Sequence, residues 1–262
     1  MPAGAAGFLE ENEVSGRMFS EWSWEGFLRW RLPQLQTFLG GRAQQIYTIG
    51  DIHEYQRILT SQNPADALAR WGVHLAVLPF GDTFVAFIQK LTCLDGSSWA
   101  VVFYDGKAII LADLREPATR ALADAVAGGR AGFRDGRVAA LSRAMCRTAP
   151  LLGFDRSQAL ADLVAASEAT PTAGGPWFVL LTANALRMRP EWLIDVLERQ
   201  DKLLSGEAAG ATNPIARLEA RRSIAAILAN VFRGGGRTTE AMVWASNAAD
   251  LSSRLESALA GP

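Results

Sequence analysis

Apolar and polar positions follow different patterns in the two halves of the chain. In residues 1–115, short apolar segments alternate with stretches that have helical spacing. Strands are predicted at 17–19, 36–39, 73–80, 99–104 and 108–114. The run 73–80 is almost continuously apolar, as expected of a strand that is covered on both faces. This order predicts a layered α/β unit with a mixed sheet, in which the Asp105-Gly106-Lys107 turn makes a hairpin at one edge.

Residues 116–262 show helical spacing and no convincing strand pattern. Gly, Pro and Asn residues separate predicted helices at 118–127, 136–148, 155–167, 176–188, 190–204, 214–232 and 238–259. Small residues such as Ala225 and Ala229 resemble those of stacked, tetratricopeptide-like helical hairpins, but a complete repeat signature is missing. A plain helical bundle is the alternative. The sequence therefore predicts an α/β domain at 1–115 and an all-helical domain at 116–262.

Polar and special residues mark several helix ends in the first half. Asp51 is predicted to cap a helix that runs through residue 61. Asn63 fits an N-cap because Pro64 follows it at the first helical position. The aromatic run 22–30 has helical rather than alternating spacing, so it predicts a short helix that ends before Pro33.

Composition excludes several classes of function. The net charge is -1 and only 20% of residues are charged, so no basic field is available for nucleic acid. With two histidines, two cysteines and no CxxC or HExxH motif, neither a metal site nor a cofactor is expected. Cys93 and Cys146 are interpreted as free buried thiols, with a disulfide as the alternative. No apolar stretch is long enough to cross a bilayer and residues 1–7 lack the features of a secretory signal, so the sequence predicts a soluble polypeptide that does not direct its own export.

Motifs for catalysis are equally sparse. The glycine run 234–236 follows a predicted helix instead of a strand and lacks the Lys-Ser/Thr of a phosphate loop, so it is interpreted as a helix-helix link. The nucleophile motif Gly-x-Ser-x-Gly does not occur. We therefore predict no catalytic residues. A small-molecule enzyme that uses Arg42, Asp51 and His53 is a minor alternative.

An aromatic cluster is the clearest candidate for binding. Trp22, Trp24 and Trp30 lie within nine residues of one another, and aromatic faces stack on sugar rings, anchor partner helices or rest at a membrane interface. Arg42 and Tyr47 follow a little further on, where an arginine is suited to an anionic group. These five residues form the predicted binding site. Packing in the protein core is the default explanation for the rings, against which this binding site is weighed.

The order of several segments resembles a known family. The segments 24–33, 38–42 and 71–79 read WEGFLRWRLP, FLGGR and WGVHLAVLP. Together with 6–12 and 16–19, they resemble the soluble C-terminal region of bacterial multi-spanning membrane proteins related to lipid-linked-sugar glycosyltransferases. The resemblance covers about residues 3 to 112.

Two positions depart from the family pattern. Glu25 stands where the family has the first of two paired glycines, and Gly40 stands where it has an acidic residue. Gly26, Gly41 and Arg42 match. Loss of the acidic residue removes a polar role of that motif, whereas the backbone turn is expected to persist.

The resemblance implies a domain outside the cytoplasmic membrane, attached after the last membrane-spanning helix of a larger protein. It implies that the catalytic carboxylate belongs to the membrane portion, so this chain is expected to be a non-catalytic accessory module. The expected partners are the parent membrane domain or another protein, with a glycan or a lipid-linked sugar as the ligand. The alternative hypothesis is a free-standing protein-interaction scaffold in which the helical domain presents a groove.

Overall fold

The computed structural model describes residues 1–39, 48–80, 82–92, 97–169, 179, 188–206 and 213–260. The chain divides into two compact units, Met1–Ala159 and Leu160–Pro262. The predicted domain boundary at residue 115 therefore lies inside the first unit. The predicted strand end at Gly40-Gly41, and most of the helix predicted at 176–188, lie outside the described residues.

A mixed sheet of five strands forms the centre of the first unit. The strands are β1 (Gly16–Ser20), β2 (Leu35–Thr37), β3 (Leu75–Pro79), β4 (Trp99–Tyr104) and β5 (Ala108–Asp113). Their order in the sheet is β2-β1-β3-β5-β4. Strand β1 pairs in parallel with β2 and β3, whereas β5 is antiparallel to β3 and β4. The predicted mixed sheet and its edge hairpin are confirmed.

Eight helices accompany the sheet along residues 1–169 of the described chain. They are α1 (Ala3–Glu11), α2 (Glu25–Arg31), α3 (Ile49–Thr60), α4 (Pro64–Ala69), α5 (Asp82–Thr92), α6 (Pro117–Ala127), α7 (Gly136–Arg147) and α8 (Arg156–Ala169). Short 3-10 helices occupy Trp22–Trp24 and Pro150–Leu152. The division between the two compact units falls within the residues of α8.

Both faces of the sheet are buried. On one face, Met18 and Val77 belong to a core cluster that also contains Leu9 of α1 and Leu28 of α2. On the opposite face, the ring of Phe19 packs against three other aromatic rings. The centroid distances are 4.8 Å to Tyr55, 5.6 Å to Phe87 and 5.9 Å to Phe38. Because successive side chains of a strand point to opposite faces, two apolar layers explain the continuous apolar run of β3.

Helices α6 and α7 belong to the first unit, although the sequence places them in the predicted helical domain. Ala123, Val126 and Cys146 are part of the same core cluster as the strands. The Ser142 hydroxyl of α7 accepts a 2.9 Å hydrogen bond from the backbone N–H of Tyr104 on edge strand β4. Helical spacing reveals that one helix face is apolar, but it does not reveal whether a sheet or another helix covers that face.

The second unit contains three long described helices after α8. They are α9 (Pro190–Ser205), α10 (Pro214–Gly234) and α11 (Thr238–Ala260), and α10 packs against both of the others. Arg221 Nε donates a 2.8 Å hydrogen bond to Asp201 Oδ1 and thereby joins α10 to α9. The helices predicted at these positions are confirmed, whereas their arrangement as tetratricopeptide-like hairpins stays a prediction.

One predicted helix start is wrong and another is confirmed. Thr48, not Asp51, is the N-cap of α3: its hydroxyl accepts a 3.3 Å hydrogen bond from Asp51 N–H, and Asp51 Oδ2 accepts a 2.7 Å bond from Thr48 N–H. Asp51 thus occupies the third helical position of a capping box. At α4, Asn63 Oδ1 accepts from Asp66 N–H at 3.3 Å and Pro64 begins the helix, as predicted.

No helix in the described segments combines the length and the apolar character needed to cross a membrane. Cys146 is a free, buried thiol, and Cys93 lies outside the described residues. Burial, reinforced by the charge of Asp124, raises the pKa of the Cys146 thiol to about 12. The interpretation of Cys146 as a free, buried thiol is therefore confirmed.

Candidate functional site

A groove lies on the sheet face that α3 covers. Its volume is about 280 Å³. The side chains of the described residues that line it include one cation, one carboxylate, an amide and two aromatic rings. The lining residues are Arg17, Gln36, Thr37, Phe38, Leu39, Asp51, Trp71 and Val73. We call this the Arg17–Trp71 groove.

The register of β1 and β2 places the polar groups of the groove side by side. Arg17 of β1 and Gln36 of β2 are paired positions in this parallel ladder, so their side chains lie on the same sheet face. Further along the same face, the next side chains are the apolar rings of Phe19 and Phe38, whose centroids lie 5.9 Å apart. The groove therefore begins where the aromatic layer under α3 ends.

Trp71 reaches the groove because the chain turns sharply after α4. Gly72 has a φ of +62°, a left-handed conformation that a residue with a side chain rarely adopts. The backbone carbonyl of Trp71 accepts a 3.1 Å hydrogen bond from Arg17 Nη1. The turn thus fixes both the indole and the arginine.

The indole ring of Trp71 is held on two sides and still exposed. Its Nε1–H donates a 2.9 Å hydrogen bond to Glu54 Oε1, and its ring meets Phe38 edge to face at a centroid distance of 5.2 Å. Nevertheless, 41% of Trp71 remains accessible to solvent. The hydrogen bond from Trp71 is the main reason why the pKa of Glu54 lies below its usual value, with burial opposing and Arg57 assisting. A fixed, exposed aromatic face is suited to stacking on a ring of a ligand.

No carboxylate of the described residues is paired with the charge of Arg17. Its hydrogen bonds go to neutral acceptors, Gln36 Oε1 at 3.4 Å and the Trp71 carbonyl at 3.1 Å. Within the described part of the chain, Arg17 makes no ion pair. Asp51 also lines the groove, but its Oδ2 accepts from both the N–H and the hydroxyl of Thr48. These bonds, the backbone one first, lower the pKa of Asp51 against a small opposing effect of burial.

A second polar cluster lies at the carboxyl end of β1 and β2. The Glu25 side chain is only 6% exposed, and Arg29 Nη1 lies 3.7 Å from its Oε1. Thr37 Oγ1 donates to the same oxygen at 3.3 Å. Tyr55 O–H donates to the Ser20 carbonyl at 3.1 Å. Glu25 therefore ties α2 to β2.

A third cluster surrounds the buried carboxylate of Asp113 at the opposite end of the sheet. Arg115 Nε and Nη2 lie 3.0 Å from its Oδ1 and Oδ2, respectively, and His74 Nδ1 lies 3.2 Å from Oδ2. Burial alone would raise the pKa of Asp113, but the hydrogen bonds from Arg115 and His74 outweigh it and lower that pKa. Arg115 also lies 3.6 Å from Asp66 of α4, so this cluster fastens α4 to the sheet.

The structure separates the predicted binding residues from the groove. Trp24 is partly buried against the core cluster, Trp22 is half-buried, and Trp30 is 75% exposed. None of these three rings lines the groove. Arg42 and Tyr47 lie outside the described residues. For the minor enzyme alternative, Asp51 lines the groove whereas His53 is exposed elsewhere on α3.

Comparison with protein-family models, with curated protein sequences and with solved structures gives no match. Among the described residues, no group of three or more His, Cys, Asp or Glu side chains is arranged to hold a metal ion. Function is therefore inferred from the geometry of the groove, together with the motif resemblance.

Proposed function

We propose that the chain is a non-catalytic, extracytoplasmic accessory module of a membrane-embedded, glycosyltransferase-like protein, and that the Arg17–Trp71 groove binds the sugar of its ligand. The single observation that supports this most is the exposed, fixed indole of Trp71 beside Arg17 and Gln36. The compartment and the parent protein come from the motif resemblance.

The lining of the groove matches the chemistry of a sugar. A pyranose ring has C–H faces, which pack on an aromatic ring, and a rim of hydroxyls, which need both donors and acceptors. Trp71 supplies the aromatic face, and Gln36 supplies an amide with both kinds of group. The combination of an apolar wall and a few polar groups is typical of small-molecule sites.

The two carboxyl groups near the groove have structural partners and are not arranged as general acids, which supports a binding role for the groove rather than a catalytic one. Asp51 is held by Thr48 in the capping box, and Glu54 accepts from Trp71 and pairs with Arg57. The pKa of each of these carboxyl groups lies below its usual value, so neither carries a proton for general acid catalysis near neutral pH. Each already has a structural partner.

Cell fractionation tests the accessory role. An antibody against residues 97–169 should detect the native protein in the membrane fraction, resistant to carbonate washing, at a mass well above the 28.2 kDa of this sequence. A co-expressed soluble protein controls for leakage. A 28.2 kDa species that is found only in the soluble fraction would contradict the membrane-bound parent.

The alternative hypothesis, a free-standing protein-interaction scaffold built on the helical region, stays a prediction. The described residues of α9, α10 and α11 identify no particular partner. A pull-down that compares the full chain with a variant altered on α11 would be its first test.

A further inference from the structure

We infer that the ligand of the Arg17–Trp71 groove is a sugar monophosphate, whose phosphate is bound by the Arg17 guanidinium while its sugar ring packs on Trp71. This inference rests on the proposed function and adds the charge of the ligand. The phosphorylated sugar has two possible sources, a free metabolite or the headgroup of a lipid-linked sugar. Both present the same chemistry to the groove.

The hydrogen bonds of Arg17 orient its guanidinium and leave its positive charge available to bind an anion. A guanidinium has five N–H donors, and in Arg17 one on Nε and one on Nη1 are engaged. Within the described part of the chain, the other three donors have no acceptor and remain for a ligand. Because both acceptors are neutral, they orient the side chain without neutralising it. An arginine that is oriented in advance binds phosphate through two parallel hydrogen bonds at a smaller entropic cost.

Three other arginines of the first unit differ from Arg17 because each of them is paired with a carboxylate. Arg31 Nη2 lies 2.8 Å from Glu10 Oε2, and Arg134 Nε lies 2.6 Å from Glu11 Oε1. Arg115 is paired with Asp113 and Asp66. In these pairs a carboxylate of the protein already occupies the place of an anionic ligand. Among the described residues, no carboxylate occupies the corresponding place beside Arg17.

The size and charge of the groove are suited to a ligand with one ring and one phosphate. The groove of about 280 Å³ lies near the lower end of small-molecule pockets, which usually measure roughly 300–1,000 Å³. A dinucleotide needs more room. Asp51 lies in the same lining and is ionised at neutral pH, so a second phosphate near it would be repelled.

Isothermal titration of the full chain tests the inference. The probes are glucose, galactose and N-acetylglucosamine, the 1-phosphate of each, and inorganic phosphate alone. For at least one sugar, wild type should bind the 1-phosphate about tenfold or more tightly than the parent sugar, as expected for a charge-assisted pair. Arg17→Gln should abolish this preference and retain binding of the sugar, whereas Arg17→Lys should keep part of it. Arg254→Gln, in a matched exposed position on α11, should leave it unchanged.

A second arm distinguishes the two sources of the phosphate. The same variants are titrated with vesicles that contain a polyprenyl-phosphate-linked form of each sugar, and with vesicles without it. Tighter binding to the sugar-bearing vesicles than to the free 1-phosphate, lost in Arg17→Gln, assigns the lipid-linked source; the reverse order assigns the free metabolite. Either order supports the inference.

The failures are separable. If neutral sugars bind as tightly as their phosphates, or if Arg17→Gln keeps the preference, the anionic ligand is wrong while a sugar-binding groove stands. If inorganic phosphate alone binds as tightly as any sugar phosphate, the role of Trp71 is wrong. If neither the sugars nor the vesicles bind, the proposed function and the inference both fail.

Discussion

The indole Nε1 of Trp71 lies 2.9 Å from Glu54 Oε1, and this hydrogen bond joins the chain after α4 to α3. The contact fixes an aromatic ring that lies at the surface, since 41% of Trp71 stays exposed. An exposed ring that is nevertheless held in one orientation is a feature of a binding surface.

We expect Trp71→Phe and Trp71→Ala to affect ligand binding to different extents. Trp71→Phe keeps an aromatic face but loses the bond to Glu54, so the free energy of unfolding should fall by about 1 kcal/mol and sugar affinity only modestly. Trp71→Ala removes the face and should weaken sugar binding by about tenfold or more. Trp30→Ala is the matched control, since Trp30 is 75% exposed and lies outside the groove lining. A loss of binding in Trp30→Ala without a loss in Trp71→Ala would place the site on α2 instead.

Acid should weaken the cluster around Asp113. The pKa of Asp113 is lowered in the folded state, so between that pKa and the unfolded value of about 3.9 the unfolded chain binds more protons. The contribution to stability is therefore complete above about pH 4 and is lost as the pH falls through the folded pKa. Urea unfolding of wild type at pH 7 and pH 3 measures this loss.

Asp113→Asn isolates that contribution. It leaves Arg115 and His74 without their buried carboxylate, so the free energy of unfolding at pH 7 should drop by about 2 kcal/mol and the acid-dependent component should shrink. Asp124→Asn, which breaks an exposed pair with Arg120 at 3.5 Å, should cost less than about 0.5 kcal/mol. Equal stabilities of the two variants would show that the Asp113 cluster does not hold α4 to the sheet.

The N-cap of α3 makes a separate prediction about stability. Thr48→Ala removes the hydroxyl that accepts from Asp51 N–H, so the free energy of unfolding should fall by about 1 kcal/mol. Thr60→Ala changes the same residue type at the other end of α3, where the hydroxyl donates to the Gln56 carbonyl, and should have a smaller effect. Thermal unfolding of both variants decides whether α3 begins at Thr48. An unchanged melting temperature in Thr48→Ala would contradict that start.

The thiol of Cys146 should react only when the first unit unfolds. It is fully buried, donates to the Ala123 carbonyl at 3.5 Å and has a pKa raised to about 12, so the reactive thiolate is scarce. A Cys93→Ser variant leaves Cys146 as the single thiol. Its labelling by a disulfide reagent at pH 8 should be slower than in 8 M urea by about a hundredfold or more. Rapid, complete labelling of the native variant would show that this layer of the core is open.

Local patterns in the sequence predict much of the first unit. The apolar run of β3, the turn between β4 and β5, and the Asn63-Pro64 helix start depend on neighbouring residues, and the structure confirms all three. The predicted start of α3 is wrong because Thr48 and Asp51 are both suitable N-cap residues, and only the geometry shows that Thr48 is the cap.

The groove could not be predicted because its parts come from distant positions. Arg17 and Gln36 become neighbours only through the register of β1 and β2. Trp71 joins them only because Gly72 turns the chain, and its indole is fixed by Glu54 from another helix. A polar residue at the start of an apolar strand, as at Arg17, was the available signal. The clustered rings at 22–30 were more conspicuous in the sequence, although Trp24 packs against the core.

The most direct test of a sugar-binding groove is a nitrogen-proton correlation spectrum of the indole groups. The chain has eight tryptophans, whose side-chain signals can be assigned by replacing each in turn with phenylalanine. On addition of a hexose 1-phosphate that the chain binds, the Nε1–H signal of Trp71 should shift most, because Trp71 lines the groove and its indole is held by the bond to Glu54. The buried indole of Trp99 should stay unchanged. A spectrum in which Trp22 or Trp30 shifts while Trp71 does not would contradict the groove and return the site to the aromatic helix.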